Sequence, residues 1–247
     1  MSEREPQGDI QVLARCAQIL RALEPGDRIQ LGRLATDLEV GRSTLHRYLV
    51  SMANLEMITR VGEGEYVLGP LLAQLGAVAL NRDHALEAAS RAMKELSASI
   101  SETTVVSVWG GNGAVVSLVE SPEALIQVLV RVGSVLPPYA AQTIAFLAFL
   151  PSPVVDRVLD GSESRPDIIA RIDEARRTGL VSVAGFVEGL ETMAAPIFDA
   201  SGVVATLATI GTEARFSSPR RERIATELSR TATEISSALG WRGSVQP

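Results

Sequence analysis

The 247-residue sequence reads as an α+β protein: an N-terminal winged helix-turn-helix, joined by a linker helix to a larger α+β domain with an antiparallel sheet. Three observations predict this. Residues 1–69 hold three short helical patterns, the last preceded by a Gly-containing turn and followed by two β-prone runs. An apolar helical stripe begins directly after Gly69-Pro70. From Thr103 the apolar period changes from helical to strand-like, and the strands fall into two groups, too few for a doubly wound sheet.

The first helix is expected from about Asp9 to Glu24, with Ile10, Leu13, Ala17, Leu20 and Leu23 inward and Pro25-Gly26-Asp27 closing it. Cys16 shares its period and reads as a packed core thiol. A second helix takes Leu31 to Leu38, then Glu39-Val40-Gly41 turns the chain, with Gly41 available for a positive φ. The third, Arg42 to about Leu55, places Leu45, Leu49 and Met52 on one face and Ser43, His46, Arg47 and Val50 on the other. Met57 to Arg60 and Tyr66 to Leu68, separated by Val61-Gly62-Glu63-Gly64-Glu65, form a hairpin, the wing.

The linker helix, within residues 70–82, carries Leu71, Leu72, Leu75, Val78 and Ala79 as an apolar surplus, which suggests contact with the same helix of a second subunit. In residues 83–247 a helix from about Asp83 to Ser99 buries Leu86, Ala89, Met93 and Leu96. Strands follow at Thr103 to Trp109 and Ala114 to Glu120, joined by Gly110-Gly111-Asn112-Gly113, with a third at Ile126 to Val132. Helices are expected at Tyr139 to Leu150, Val154 to Leu159 and Asp167 to Thr178, and strands at Leu180 to Val183, Thr192 to Phe198 and Val203 to Ile210. A last helix runs from about Ser217 to Leu239, with Ser217-Ser218-Pro219 as its cap and first turn.

Composition removes several function classes. One cysteine excludes an internal disulfide, and two distant histidines, His46 and His84, give no metal-ligand spacing. The acidic start MSEREPQGD has no apolar core of a secretory signal, and the longest apolar run, Ile144 to Leu150, is too short for a bilayer, so a cytoplasmic protein is expected. Neither histidine has a recognisable nucleophile or carboxylate partner, and GGNG is a hairpin turn and not a phosphate loop, so neither an enzyme nor a cofactor is expected. The net charge of −6 argues against sequence-blind binding of nucleic acid, which needs a broad basic surface.

Several stretches in order resemble the IclR-type bacterial transcriptional regulators. They are LGRLATDLEVGRSTLHRYLVSM, then EYVLGPLL with the linker helix behind it, and, more weakly, SETTVV, GSVLPPYAAQTIAFLA and GLETMAAPIFDASG. The resemblance implies a GAF-like effector-binding and oligomerisation domain, a homodimer or dimer of dimers on a symmetric double-stranded DNA operator, and a small-molecule effector. It implies RNA polymerase as a further partner, and no catalysis. The sequence departs from the family where members that bind short oxo acids carry polar groups. Thr143 and Ile144 replace a Gly-Lys pair, Gly185 and Phe186 replace acids with Glu188 the nearest carboxylate, Thr192 replaces a Cys, and Ala208 and Ile210 replace a Ser-x-Ser.

A helix-turn-helix places the start of its second helix in the major groove, so Ser43, Thr44 and Arg47 are candidates for base edges. Arg42 and Arg60 are candidates for phosphate, and His46 lies on the same face. Residues 1–69 hold eight arginines against ten acids, so a modest salt dependence is expected, with affinity concentrated in these few groups. Effector candidates are Trp109, Thr143, Val183, Thr192, Ala208 and Ile210, two hydroxyls among mostly apolar positions, which favours a ligand more apolar than a short oxo acid, aromatic or aliphatic. The alternative is a metabolite-binding, oligomerising module without DNA readout.

Overall fold

The computed structural model describes residues 10–23, 29–81, 84–123, 127–162 and 164–243. The chain forms two compact units, Met1–Arg82 and Asp83–Pro247.

The first unit runs α1 (Gln11–Ala22), β1 (Ile29–Gln30), α2 (Leu31–Asp37), α3 (Arg42–Asn54), β2 (Ile58–Gly62), β3 (Glu65–Leu68) and α4 (Pro70–Asn81). Its core joins Ile19 and Leu23 of the first helical segment to Leu34 and Ala35, to Leu45, Leu49 and Met52, and to Ile58 and Tyr66 of the wing. The expected inner face of α1 is corrected. Ile10 and Leu13 are each 64% exposed and Ala17 is exposed, while Ile19 is fully buried. Cys16, Ile19, Leu20 and Leu23 stand at i, i+3, i+4 and i+7, so this stripe satisfies the helical period as well as the expected one and lies nearer the helix end that the small core can reach. Cys16 is half-buried against that core. Asp9, Glu24 and Pro25-Gly26-Asp27, named above as helix limits, lie outside the described residues.

The turn before α3 is solved differently from expectation. Gly41 is extended, at φ −57°, and the left-handed residue is Glu39, at φ 51°. Val40 donates its N–H to the Ala35 carbonyl at 3.0 Å and Glu39 to Thr36 at 3.2 Å, a Schellman closure of α2 that demands the left-handed conformation at position 39. Gly41 instead starts α3, accepting from Leu45 N–H at 2.9 Å. Glu56 repeats the arrangement after α3, with Met57 N–H donating to Met52 O. The wing strands run further than expected, leaving Glu63-Gly64 as the turn, and the two-residue β1 adds a third strand in the order β1-β3-β2. A Cβ at Gly69 would lie 2.2 Å from the Glu56 carbonyl, so only glycine lets the wing return past the end of α3 before Pro70 opens α4.

The second unit runs α5 (His84–Ile100), β4 (Thr103–Trp109), β5 (Ala114–Glu120), α6 (Ala141–Leu147), α7 (Ser152–Val158), α8 (Arg165–Thr178), β6 (Val181–Ala184), β7 (Leu190–Asp199), β8 (Gly202–Thr212), a short 3-10 turn (Glu213–Phe216) and α9 (Arg220–Ala238). The antiparallel sheet has the order β5-β4-β8-β7-β6, so the two expected groups of strands join through β4 and β8. One face carries Val106, Met193, Ala195, Ile197, Ala205 and Leu207 against α5 and α9. The other carries Val183, Ala194 and Ala208 against α6 and α8. A bulge shifts the register between Val106↔Leu118 and Ser107↔Val116. The extra residue of β5 lets Leu118 pack on the helical pair while Val116 turns to the other face.

Three expectations are corrected here. Residues 127–132 form no regular strand, Leu129 being 88% and Val132 59% exposed, and Ile126 lies outside the described residues. The backbone that meets β5 is instead 133–136, through Gly133 N–H to Val116 O, Val116 N–H to Ser134 O and Leu136 N–H to Ala114 O. The helix expected from Tyr139 is confined to Ala141–Leu147, where all seven residues are buried. At α9 the residue before the helix is Pro219, and no side chain caps it.

The end of α5 is held by charge. Glu102, 5% exposed, accepts from Arg215 Nε at 2.6 Å and Arg220 Nη2 at 2.9 Å. The same arginines donate to the Ser101 and Ile100 carbonyls, and Arg223 donates to Ser99 O. Guanidinium groups thus satisfy the orphan carbonyls at the negative end of the helix. A Cβ at Gly211 would lie 2.5 Å from the Phe216 ring and 2.6 Å from Glu102 Oε2, so the bare backbone there makes room for both.

Two outcomes are expected. Glu39→Gly should stabilise the first unit by about 0.5–1 kcal/mol in denaturant melts, because the left-handed strain at Glu39 is relieved. Glu102→Ala should destabilise the second unit by about 2–3 kcal/mol, below the range for a fully buried pair because both arginines keep partial solvent contact, with Glu102→Gln falling between.

Candidate functional site

Helix α3 turns Leu45, Leu49 and Met52 into the core and leaves Arg42, Ser43, Thr44, His46, Arg47 and Val50 exposed, so the amphipathic reading of this stretch is realised. Gly41 provides no side-chain cap, which leaves the first turn of α3 without a side-chain acceptor for its N–H groups. That turn is an electropositive end, and it is flanked by two arginines with no acid anywhere in α3. Arg42 folds back over α2, its Nη2 lying 3.7 Å from where a Cβ of Gly32 would stand. Arg60 sits exposed on β2, its Nε donating to Gly62 O at 3.0 Å, which pins the guanidinium to the bulge near the wing tip.

In the second unit a cavity of about 290 Å³ opens on the face of the sheet opposite α5 and α9. Its walls come from β5 (Val116), the 128–136 segment, the start of α6 (Ala140, Ala141, Gln142), and the β6–β7 end of the sheet (Val183, Phe186, Val187, Leu190, Thr192), closed by Ile210 of β8. The strand alternation explains the set: Leu190, Thr192 and Ile210 share the face of Ala194 and Ala208, whereas Met193 and Leu207 point to the helical pair.

Three of the six sequence-derived positions, Val183, Thr192 and Ile210, line this cavity. Trp109, Thr143 and Ala208 do not, each for a packing reason. Trp109 leans on Phe146, with ring centroids 5.5 Å apart. Ala208 is fully buried beneath α6 and α8. Thr143, also fully buried, donates from Oγ1 to Leu136 O at 3.1 Å and accepts from Ala114 N–H at 3.2 Å, so it ties α6 to β5 and the 133–136 segment.

Sequence reasoning missed Gln142, Arg131, Ser134 and the apolar walls Val116, Leu136 and Val187, while Phe186, noted above only as replacing an acid, is a wall as well. Gln142 is 2% exposed, and its Nε2 donates to Ser107 Oγ at 2.8 Å. The signal available was a long polar residue beside Thr143 inside a mostly apolar helical run, AAQTIAFLA, which has to find buried partners. Arg131 lies in the segment read as a strand, where alternation gave it no special position, and Ser134 lies just beyond it, where no element was assigned.

His46 lies on the exposed face of α3 and His84 at the exposed start of α5. Among the described residues no group of three or more His, Cys, Asp or Glu is arranged to hold a metal, and no helix is long and apolar enough to cross a membrane.

Comparison with known proteins places both units. Residues 12–62 match the model of the IclR helix-turn-helix domain, and residues 77–237 match that of the bacterial transcriptional regulator IclR C-terminal domain. The chain is 29% identical over 238 residues to the HTH-type transcriptional regulator KdgR of Escherichia coli K12, covering 90% of each protein. Its fold is similar to a crystal structure from Silicibacter sp. TM1040 assigned to the IclR transcriptional regulators, with a TM-score of 0.84 at 24% identity, covering 96% of this chain and 99% of that one. It is similar too to an IclR homolog from Microbacterium hydrocarbonoxydans crystallised with 4-hydroxybenzoate, with a TM-score of 0.72 at 22% identity over 93% and 99% of the two chains.

Because Thr143 is spent on two internal hydrogen bonds, Thr143→Val should lower the stability of the second unit by about 1–3 kcal/mol while leaving small-molecule affinity within about twofold. Chemical denaturation beside calorimetric titration checks both halves.

Proposed function

The chain belongs to the IclR family of bacterial transcriptional regulators, with a helix-turn-helix DNA-binding domain and a C-terminal effector domain; from that premise we propose that α3 reads a symmetric operator and that the 290 Å³ cavity takes an apolar effector. The observation that carries the first half is the acid-free exposed face of α3, with Ser43, Thr44 and Arg47 on it and an uncapped helix start beside Arg42. Arg47 is suited to two hydrogen bonds with a guanine edge, and Ser43 and Thr44 to bases or phosphate. Arg42, the open N–H groups of the first turn, and Arg60 on the wing are suited to phosphate, with His46 beside them.

The exposed apolar residues of α4, Leu75 at 56% and Val78 at 55%, support a homodimer through this helix, or a dimer of dimers. Two subunits would then present their α3 helices about 34 Å apart to the two half-sites. Effector occupancy would shift operator affinity by a coupling of about 1–3 kcal/mol. A cytoplasmic location and contact with RNA polymerase follow from the same reading, and no catalytic role is assigned.

For the effector, the walls are largely apolar and, among the described residues, the one ionic lining group is Arg131 at the exposed rim. That combination suits an apolar acid larger than a short oxo acid, and the 4-hydroxybenzoate held by the Microbacterium homolog is of this kind. A dry engineered cavity of about 150 Å³ holds benzene, so this one has room for a substituted ring or a medium chain.

Arg47→Ala should weaken binding to an operator selected from a random duplex pool by about 1–3 kcal/mol and relax preference at one base pair in each half-site. Footprinting that shows no change at all would favour a metabolite-binding module without DNA readout.

A further inference from the structure

Gln142 is a buried polar side chain in the cavity wall. Its amide faces β4 and β8, with Nε2 2.8 Å from Ser107 Oγ and 3.5 Å from both Val105 O and Thr206 Oγ1. The two hydroxyls tolerate either end of an amide, but a backbone carbonyl only accepts, so Val105 O requires the NH2 edge to face the strands. The opposite edge, Oε1, has no donor among the described residues. Nor is it sealed in the core, where the buried side-chain atoms without a partner among the described residues are Thr209 Oγ1 and Arg220 Nε. Gln142 itself is 2% exposed and lines the cavity, so the space open to Oε1 is the cavity. The result is a fixed hydrogen-bond acceptor at the floor of an apolar chamber.

We propose that Gln142 is the specificity-determining residue of the effector site, and that the effector is an apolar acid carrying a hydrogen-bond donor, a hydroxyl or an amine, on its buried end. This rests on the reading of the cavity as the effector site. The acid group stays at the rim near Arg131, and the donor meets Oε1 of Gln142 while the ring or chain fills the space between Val116, Leu136, Val183 and Ile210. An acceptor with no way to rotate discriminates strongly. A ligand lacking the donor strands the carbonyl out of water, and a ligand offering a second acceptor meets it with repulsion.

The experiment is calorimetric titration of the full chain with matched acids. The probes are benzoate; its 2-, 3- and 4-hydroxy, 4-amino and 4-methoxy derivatives; and hexanoate against 6-hydroxyhexanoate. At least one donor-bearing acid should bind about 10-fold or more tightly than its unsubstituted parent, and 4-methoxybenzoate should bind no better than benzoate. In Gln142→Met, which keeps the length but removes the acceptor, that advantage should fall to within about twofold. The wild-type series needs no variant to fold: equal affinity of donor-bearing and donor-free acids overturns the role of Gln142 and leaves the cavity reading standing. An undiminished preference in a folded Gln142→Met also overturns it. If no probe binds, the effector reading of the cavity falls and the proposal with it, whereas DNA binding is judged separately by the Arg47→Ala measurement.

Discussion

The neutralised carboxylate of Glu102 is the constraint on which the second unit is built. A buried charge of this kind persists only if partners reach it, and two arginines do, from the turn before α9 and from the first residue of α9. Those arginines also close the carbonyl end of α5, so one cluster fixes the last turn of α5, the entry to β4 and the direction of α9. Gly211 lets Glu102 and Phe216 approach the β8 backbone. A second pairing, Arg221 with Glu191 at 2.5 Å, ties the same stretch of α9 to β7. The helical layer is thereby locked onto one face of the sheet by charge as well as by apolar packing.

Locking one face leaves the other to vary. The alternation of β7 and β8 sends Met193 and Leu207 to the helical pair, and Thr192 and Ile210 to the cavity, so each strand serves the core and the cavity wall with alternate residues. On β5 the bulge divides the strand between the two tasks. Helix α6 is buried on every side, and that is why its polar residues carry so much meaning. Thr143 resolves its burial with two internal hydrogen bonds, whereas Gln142 resolves only its nitrogen end.

The first unit works under the opposite electrostatic condition. Its eight arginines are outnumbered by ten acids in residues 1–69, so no general attraction to phosphate supports binding. What it offers is local: an acid-free α3, an uncapped helix start and an arginine pinned to the wing. The left-handed Glu39 and Glu56 bracket α3 and set where it begins and ends.

The sequence by itself determined the order and kind of most elements and which face of α3 is exposed. Period and turn chemistry are local properties, and Leu45, Leu49, Met52 and the hairpin β4–β5 declared them plainly. It also determined the family, because several motifs stand in order along the chain. Only the tertiary structure decided which of two equivalent stripes of α1 is buried, that Glu39 and not Gly41 takes the left-handed turn, and that residues 127–132 stay outside the sheet. Only tertiary structure separated Thr143, Trp109 and Ala208 from the cavity and brought Gln142 to it. A cavity is made where segments far apart in the chain fail to touch, and no local pattern records where that failure occurs.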